Sequence, residues 1–349
     1  MKKLFAIIVL VSLILSAGCI GGTPANDGSG TGNDNGADGA SDGNDQPDDG
    51  ANSGAGDIGS GAGDVTSPDF DPTSFGSPHS KVPQTNIGPC CSHPYYHKTY
   101  RAFSDDGVQF QKENVLIRDK ASVPDIFRQD DGTYILYFVD GSYDTMDCVV
   151  SHDSGETFEY GDCTIYGFTE SKAWDPEVVK TDGGYYRMYF FAPDMEQMGS
   201  AGVGSEGNRI MSAVSKDGIN WLQESGVRFE HDGVLDPAVI KIGDKWKMYT
   251  WYMVGEMDST VVIATSDDGI NFAEEKEIDI GGGIPEIIEN NGKYQLFFCG
   301  NGIEFVTSDD GVNWNNDAAT ALQPDEGKIT CDPTLAETDD GWVLYYKTQ

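Results

Sequence analysis

Asp175-Pro-Glu-Val-Val179, followed by Tyr186-Arg-Met-Tyr-Phe190, is the stretch that decides the fold, because its pattern returns five times. The other copies are Val123-Pro-Asp-Ile-Phe127 with Tyr134-Ile-Leu-Tyr-Phe138, and Asp236-Pro-Ala-Val-Ile240 with Trp246-Lys-Met-Tyr249. Then come Ile284-Pro-Glu-Ile-Ile288 with Tyr294-Gln-Leu-Phe-Phe298, and Asp332-Pro-Thr-Leu335 with Trp342-Val-Leu-Tyr-Tyr346. Each reads as a short strand, a Gly-containing turn, and a strand alternating aromatic and aliphatic residues. Two-residue alternation with turn punctuation specifies antiparallel β structure.

A second motif interleaves with the first: Ser104-Asp-Asp-Gly-Val-Gln-Phe110, Ser151-His-Asp-Ser-Gly-Glu-Thr-Phe158, Ser215-Lys-Asp-Gly-Ile-Asn-Trp221, Ser266-Asp-Asp-Gly-Ile-Asn-Phe272 and Ser308-Asp-Asp-Gly-Val-Asn-Trp314. Each is a tight turn. Ser and Asp can bond neighbouring amides, Gly supplies positive φ, and the aromatic plugs the turn onto the sheet. The second copy has the form of the sialidase-type Asp-box, and these aspartates read as structural.

Together the motifs make a four-stranded unit, with the Pro motif supplying the inner pair of strands and the Ser-Asp-Gly turn joining the outer pair. Pro124, Pro176, Pro237, Pro285 and Pro333 stand 48 to 61 residues apart, the period of propeller blades. The chain opens on an outer pair, about 99–117, and ends on an inner pair, about 331–347. Joined, those halves form a composite blade that closes the ring without an open edge. The predicted fold is all-β, a five-bladed β-propeller over residues 99–349.

The 349 residues hold 58 Asp+Glu against 22 Lys+Arg, a formal net charge of −36. Such a charge repels a phosphate backbone, so nucleic acid is excluded as a partner. Aromatic residues make up 11% of the chain, too many for a wholly disordered acidic protein. Residues 1–81 carry 11 of the acids and residues 82–349 carry 47, so the folded part is itself acidic.

Lys2 and Lys3 precede an apolar run from Leu4 to Leu15 and then Ser16-Ala-Gly-Cys19. That is a secretory signal, and its ending resembles the lipobox of prokaryotic lipoproteins, in which the Cys receives a lipid and becomes the N-terminus. Cys19 is therefore the expected lipidation site, an uncleaved signal anchor being the competing reading. Either places the protein at the extracellular face of the cell envelope. Residues 20–75 are mainly Gly, Asp, Asn, Ser and Ala, which cannot offset their ordering entropy and read as a flexible tether. Residues 76–98 form an N-terminal arm.

Six cysteines remain: 90, 91, 148, 163, 299 and 331. An even count in an exported chain favours disulfides, with Cys148–Cys163 the expected pair and Cys90 or Cys91 expected to bond Cys331. Cys90 to His97 could also be read as a metal site, but the adjacent cysteines lack metal-ligand spacing, and no residue is assigned to a metal.

In a propeller the innermost strands line the axis, so the acids around each Pro ring the channel mouth. They are Asp125, Asp175 and Glu177, Asp236, Glu286, and Asp332. Strand alternation points the residues before and after Pro the same way, about 6.6 Å apart in depth. Converging carboxylates raise one another's pKa values, so one can donate a proton while another stays ionised, as glycosidic-bond hydrolysis requires. The same ring of oxygens would suit a structural Ca²⁺ on the axis. For Asp332, turn chemistry is the simpler reading.

At these residues the chain resembles the five-bladed propeller glycoside hydrolases, the superfamily around families 43, 62 and 32. The resemblance covers about residues 99–349 and implies an Asp base or nucleophile in blade one, a tuning Asp in blade two and a Glu acid in blade three. By blade order these are Asp125, Asp175 and Asp236. Asp125 follows its Pro instead of preceding it, blade three has Asp for Glu, and Glu286 is a Glu in blade four. No cofactor is required.

Sugar-stacking aromatics would sit on the same face: Tyr143, Trp174, Trp251 and Tyr252 are candidates, with Arg209, Glu177 and His97 as polar contacts and His93 nearby. The blade-two insertion from Ala192 to Arg209 could wall the pocket. A sialidase would need six blades and three converging arginines, and the chain has six Arg in all. A mannoside phosphorylase would need a basic phosphate pocket, which is not evident. Two functions stand: a surface-anchored glycosidase acting on extracellular polysaccharide or oligosaccharide, and a non-catalytic glycan- or protein-binding propeller.

Overall fold

The computed structural model describes residues 65, 69–85, 87, 93–193, 208–254, 258–315 and 317–349. Cys19, Cys90, Cys91, most of the tether and residues 194–207 of the blade-two insertion lie outside the described residues.

The chain enters the ring through β1 (Lys98–Ser104) and β2 (Gln111–Asp119). Blade one is β3 (Ala121–Arg128), β4 (Tyr134–Asp140), β5 (Thr145–Ser151) and β6 (Glu159–Tyr160). A short β7 (Thr164–Tyr166) precedes blade two: β8 (Trp174–Lys180), β9 (Tyr186–Ala192), β10 (Arg209–Ser215) and β11 (Asn220–Gln223). There β7 adds to β11 in parallel, and β12 (Phe229–Glu230) pairs with the start of β10. Blade three is β13 (Leu235–Ile242), β14 (Lys245–Val254), β15 (Asp258–Ser266) and β16 (Ala273–Ile278). Blade four is β17 (Gly283–Asn290), β18 (Lys293–Gly300), β19 (Gly302–Ser308) and β20 (Ala319–Leu322). β21 (Thr330–Thr338) and β22 (Gly341–Thr348) then pair with β1 and β2 in the order β2-β1-β22-β21. The composite blade is present: β1 and β22 run antiparallel from Lys98 opposite Thr348 to Ser104 opposite Trp342. Inner strands β3, β8, β13, β17 and β21 touch in succession and close the ring.

The two repeated motifs are physically linked. In each Ser-Asp-Gly turn the Gly amide donates to the Ser hydroxyl, at 2.9–3.0 Å in all five copies. The third-position Asp collects further amides; at Asp153 the Thr157 hydroxyl and amide pull the carboxyl down to about 2. The Gly carbonyl then receives a Tyr hydroxyl from the neighbouring blade: Tyr137 to Gly218, Tyr189 to Gly269, Tyr249 to Gly311 and Tyr345 to Gly155, at 2.7–3.3 Å. A Cβ on Gly155 would stand 2.2 Å from the Tyr345 oxygen, and φ there is 79°, so both space and backbone demand Gly. Blade four carries Phe297 at the matching place, and Asn290 takes over by donating to the Asp106 carbonyl at 2.8 Å. Apolar clusters fill the layers between adjacent blades.

The N-terminal arm wraps blades two and one. It docks earlier than residue 76: Val65 and Phe70 pack with Val214 and Leu222, and Pro72–Ser74 form a 3-10 turn capped by Asp71. Pro78 bridges to Tyr166, while the buried His79 contacts the Met146 carbonyl and accepts the Ile165 amide. Burial brings His79 down to about 4, so it stays neutral at ordinary pH. The Cys148–Cys163 disulfide ties β5 to the segment entering β7. The second disulfide among the described residues is Cys299–Cys331, not the expected bond from Cys90 or Cys91 to Cys331. The end of β18 lies beside the start of β21, and that neighbour relation follows from ring order alone.

Candidate functional site

Every inner strand contains the same distortion. The residue before Pro is left-handed, with φ 46° at Val123, 51° at Asp175, 46° at Asp236, 57° at Ile284 and 51° at Asp332. Each strand shifts register at this point, from Ser122 to Asp125 in β3 and at matching places in β8, β13, β17 and β21. Pro cannot donate to the ladder and restricts its predecessor, so the extra residue bulges out. Asp tolerates this region, whereas Val123 and Ile284 occupy it at a cost of roughly 1–3 kcal/mol each.

The bulge replaces the simple alternation expected from the sequence and sorts the acids into two layers. In the deep layer, after Pro, four of the five side chains stitch their blade to the next. Asp125 accepts the Val178 amide at 2.9 Å, Glu177 the Val239 amide at 2.8 Å, and Glu286 the Leu335 amide. Thr334 closes the circuit by accepting the Ile126 amide at 2.9 Å, and Ala238 in blade three has no such oxygen. Asp125, Glu177 and Glu286 surround an axial space of only about 20 Å³. Burial raises Asp125 to about 7, and burial with neighbouring acids raises Glu177 and Glu286 well above the usual carboxylate range.

The upper layer, before Pro, opens on a cavity of about 140 Å³ lined by Asp175, Asp236 and Asp332. Trp174, Phe191, Leu235, Ile284 and Ile329 give it apolar walls, and His93, Pro94 and His97 of the arm form part of its rim. Lys347 reaches in from β22 and holds the Asp332 carboxylate at 2.7 Å, both groups being buried. The same Asp332 oxygen accepts the Val123 amide at 3.1 Å. The Trp251 indole donates to Asp236 at 2.6 Å, and the Asp236 amide donates to the half-buried Asp175 carboxyl. Burial and the Asp332 charge push Asp236 up to about 7, against the opposing pull of Trp251 and Lys347. Asp175 lies well above the usual range because burial is joined by both Asp236 and Asp332. One cavity thus presents two carboxyls raised above the usual range beside a carboxylate paired to a cation.

Of the residues singled out from the sequence, Asp175, Asp236, Trp174 and His97 meet at this cavity. His97 Nδ1 lies 2.9 Å from the Ser122 hydroxyl, and the Trp174 indole donates to the Asp144 carbonyl at 3.0 Å. Asp125, Glu177 and Glu286 belong to the deep layer. Trp251 is buried and orients Asp236 instead of offering a stacking face. Tyr252 binds Glu277 at 2.7 Å and packs on His231, outside the cavity lining. Arg209 pairs with Glu170 at 2.8 Å, so its charge is already engaged. Tyr143 belongs to the blade-one turn, its amide donating to the Asp140 carbonyl. Asp332 takes a central place that the turn reading did not assign. Lys347 and Asp144 line the cavity unannounced, one at a strand end and one in a turn. Their sequence neighbourhoods carry no signal for it.

Calcium takes six to eight oxygens at 2.3–2.6 Å. Among the described residues no three axial carboxylates place oxygens within 4.8 Å of one another, and the deep ones already accept amides. The spacing suits amide stitching better than ion coordination. The grouping that does meet that distance is Cys299, Cys331 and Asp332, and its two sulfurs form the disulfide.

No family model matches the sequence, and no curated protein matches it. Solved structures do share the fold. An α-L-arabinofuranosidase from Lactobacillus brevis superposes with a TM-score of 0.53 at 14% identity, over 65% of this chain and 82% of that one. A thermostable family-43 glycoside hydrolase gives 0.53 at 15% identity, over 66% of this chain and 84% of that one. At that identity the similarity is one of architecture, and the five-bladed propeller is common to all three.

Proposed function

We propose that this protein is a glycoside hydrolase that works at the propeller mouth on extracellular polysaccharide or oligosaccharide. The observation that carries the reading is the convergence of Asp175, Asp236 and Asp332 on one apolar-walled cavity, with Asp236 raised to about 7 beside an Asp332 paired to Lys347. Asp236 is the proton donor to the leaving oxygen. Asp332, paired with Lys347, is the carboxylate partner across the bond and its charge helps keep Asp236 protonated, while Asp175 accepts the Asp236 backbone amide beside the donor. Such pairing of a neutral acid with a carboxylate is the requirement of glycosidic cleavage. Turnover is expected on at least one member of a panel of 4-nitrophenyl arabinofuranosides, xylosides, galactosides and mannosides together with plant and microbial polysaccharides.

A second reading has its own observation. Blade one presents Val123 at the position where blades two, three and five present aspartates, so the mouth lacks a blade-one carboxylate. A non-catalytic glycan-binding propeller would fit that loss. Saturable glycan binding with no turnover across the panel would establish it and remove the enzymatic reading.

The reading includes export and anchoring by a lipid on Cys19, with residues 20–64 as the spacer. Cys19→Ser is expected to move the protein from the membrane fraction to the soluble exported fraction. Retention in the membrane would point to an uncleaved signal anchor.

A further inference from the structure

Beyond the axial acids, one wall of the cavity carries a donor, an acceptor and an aromatic plate that the proposed mechanism does not use. His93, Asp144 and Trp174 all line it, alongside Asp175. They arise from three separate segments: the N-terminal arm, the turn between β4 and β5, and the start of β8.

Each is held in place. His93 caps the 3-10 turn Pro94–Tyr96, its Nδ1 accepting the Tyr95 amide at 3.1 Å. With Nδ1 occupied as an acceptor, Nε2 carries the ring proton in the neutral imidazole and is the donor left for a ligand. Burial lowers His93, and the nearby Asp144 and Lys172 pull in opposite directions. The turn is seated on blade one: a Cβ on Gly141 would fall 2.1 Å from the Tyr95 nitrogen, and Lys120 Nζ lies 4.1 Å from the Tyr95 ring centre. Asp144 is left-handed, with φ 56°, and its carboxylate faces Lys172 at 3.5 Å. Its carbonyl takes the Trp174 N–H, and Trp174 also packs against Phe191 with ring centres 5.9 Å apart. The indole thus lines the cavity with its N–H already bonded.

We infer that His93, Asp144 and Trp174 form a second saccharide subsite at the rim of the mouth, in which the arm supplies the hydroxyl-recognising donor. An apolar plate with a few placed polar groups is the chemistry that receives a sugar ring, whose faces are C–H and whose edge is hydroxyl. The inference rests on the glycosidase reading for its ligand class, and it gives the arm a role in recognition besides its structural one.

The test uses the full chain and its His93→Ala, His93→Gln and Asp144→Asn variants, titrated with xylotriose and arabinotriose by calorimetry and assayed for turnover of the same sugars. His93→Ala and Asp144→Asn are expected to weaken trisaccharide binding about three- to tenfold, the worth of one net hydrogen bond. His93→Gln, which keeps an N–H near the Nε2 position, should recover most of that loss. In turnover the loss should fall on KM more than on kcat. Binding unchanged in the Ala and Asn variants, a Gln variant as weak as Ala, or no binding of either sugar by the parent chain overturns the subsite. Binding that follows the predicted order, with no turnover of these sugars or of any member of the glycoside panel, upholds the subsite and removes the hydrolase reading, so the two fail separately.

Discussion

Asp236→Asn should lower kcat on any accepted glycoside by about 10²- to 10⁴-fold, the usual contribution of a positioned proton donor. The expectation follows from three contacts. Asp236 is buried at the cavity, its oxygen receives the Trp251 indole, and the Asp332 charge helps hold it protonated up to about pH 7. An Asn carbonyl can still accept the indole, so the fold should survive while the transferable proton is lost. The pH profile gives an independent check. A donor must be protonated, so the parent rate should fall as pH rises through about 7, and the variant's residual rate should lack that limb. Because Asp175 beside it is raised as well, the observed value belongs to the pair. A variant with near-parental kcat would exclude Asp236 as the donor.

The largest effect on stability is expected at Lys347. Its ammonium and the Asp332 carboxylate are both buried, and Asp175 and Asp236 add further acids beside them. Lys347→Met keeps most of the side-chain volume and removes the cation, leaving a buried carboxylate without its partner. Breaking a buried pair in this way costs about 3–5 kcal/mol. For a domain of this size that is a fall in Tm of roughly 6–20 °C. Adding Asp332→Asn to Lys347→Met should recover most of the loss at neutral pH. Denaturant midpoints for the single and double variants decide the matter, and equal midpoints for Lys347→Met and the parent would show that the pair contributes little.

These two residues also mark where reading the chain stops short. Asp236 is visible because it sits in a repeated Asp-Pro unit, and a repeat declares which positions share an environment. Lys347 is the next-to-last residue of the last strand, with nothing nearby to distinguish it from a solvent-facing Lys. Asp332 looked like one more turn residue for the same reason. Trp251 looked like a sugar platform, since an aromatic in that strand is equally suited to packing or stacking. Asp125 and Glu286 looked like mouth residues because the bulge before each Pro cannot be told from plain strand by alternation alone.

The sequence by itself determined the five blades, the composite closure, the Ser-Asp-Gly turns and the inventory of axial acids. The blades, turns and acids follow from short patterns repeated every 48 to 61 residues, and the closure from the half-blades that stand at the two ends of the repeat array. Tertiary structure alone decided which acid faces which partner: Asp332 meets the Val123 amide across 209 positions of sequence, and Cys299 meets Cys331 across 32. The first contact exists because the ring closes and the second because consecutive blades pack side by side, and the depth of each carboxyl is set by a backbone bulge whose φ no local preference of Val123 or Ile284 would choose.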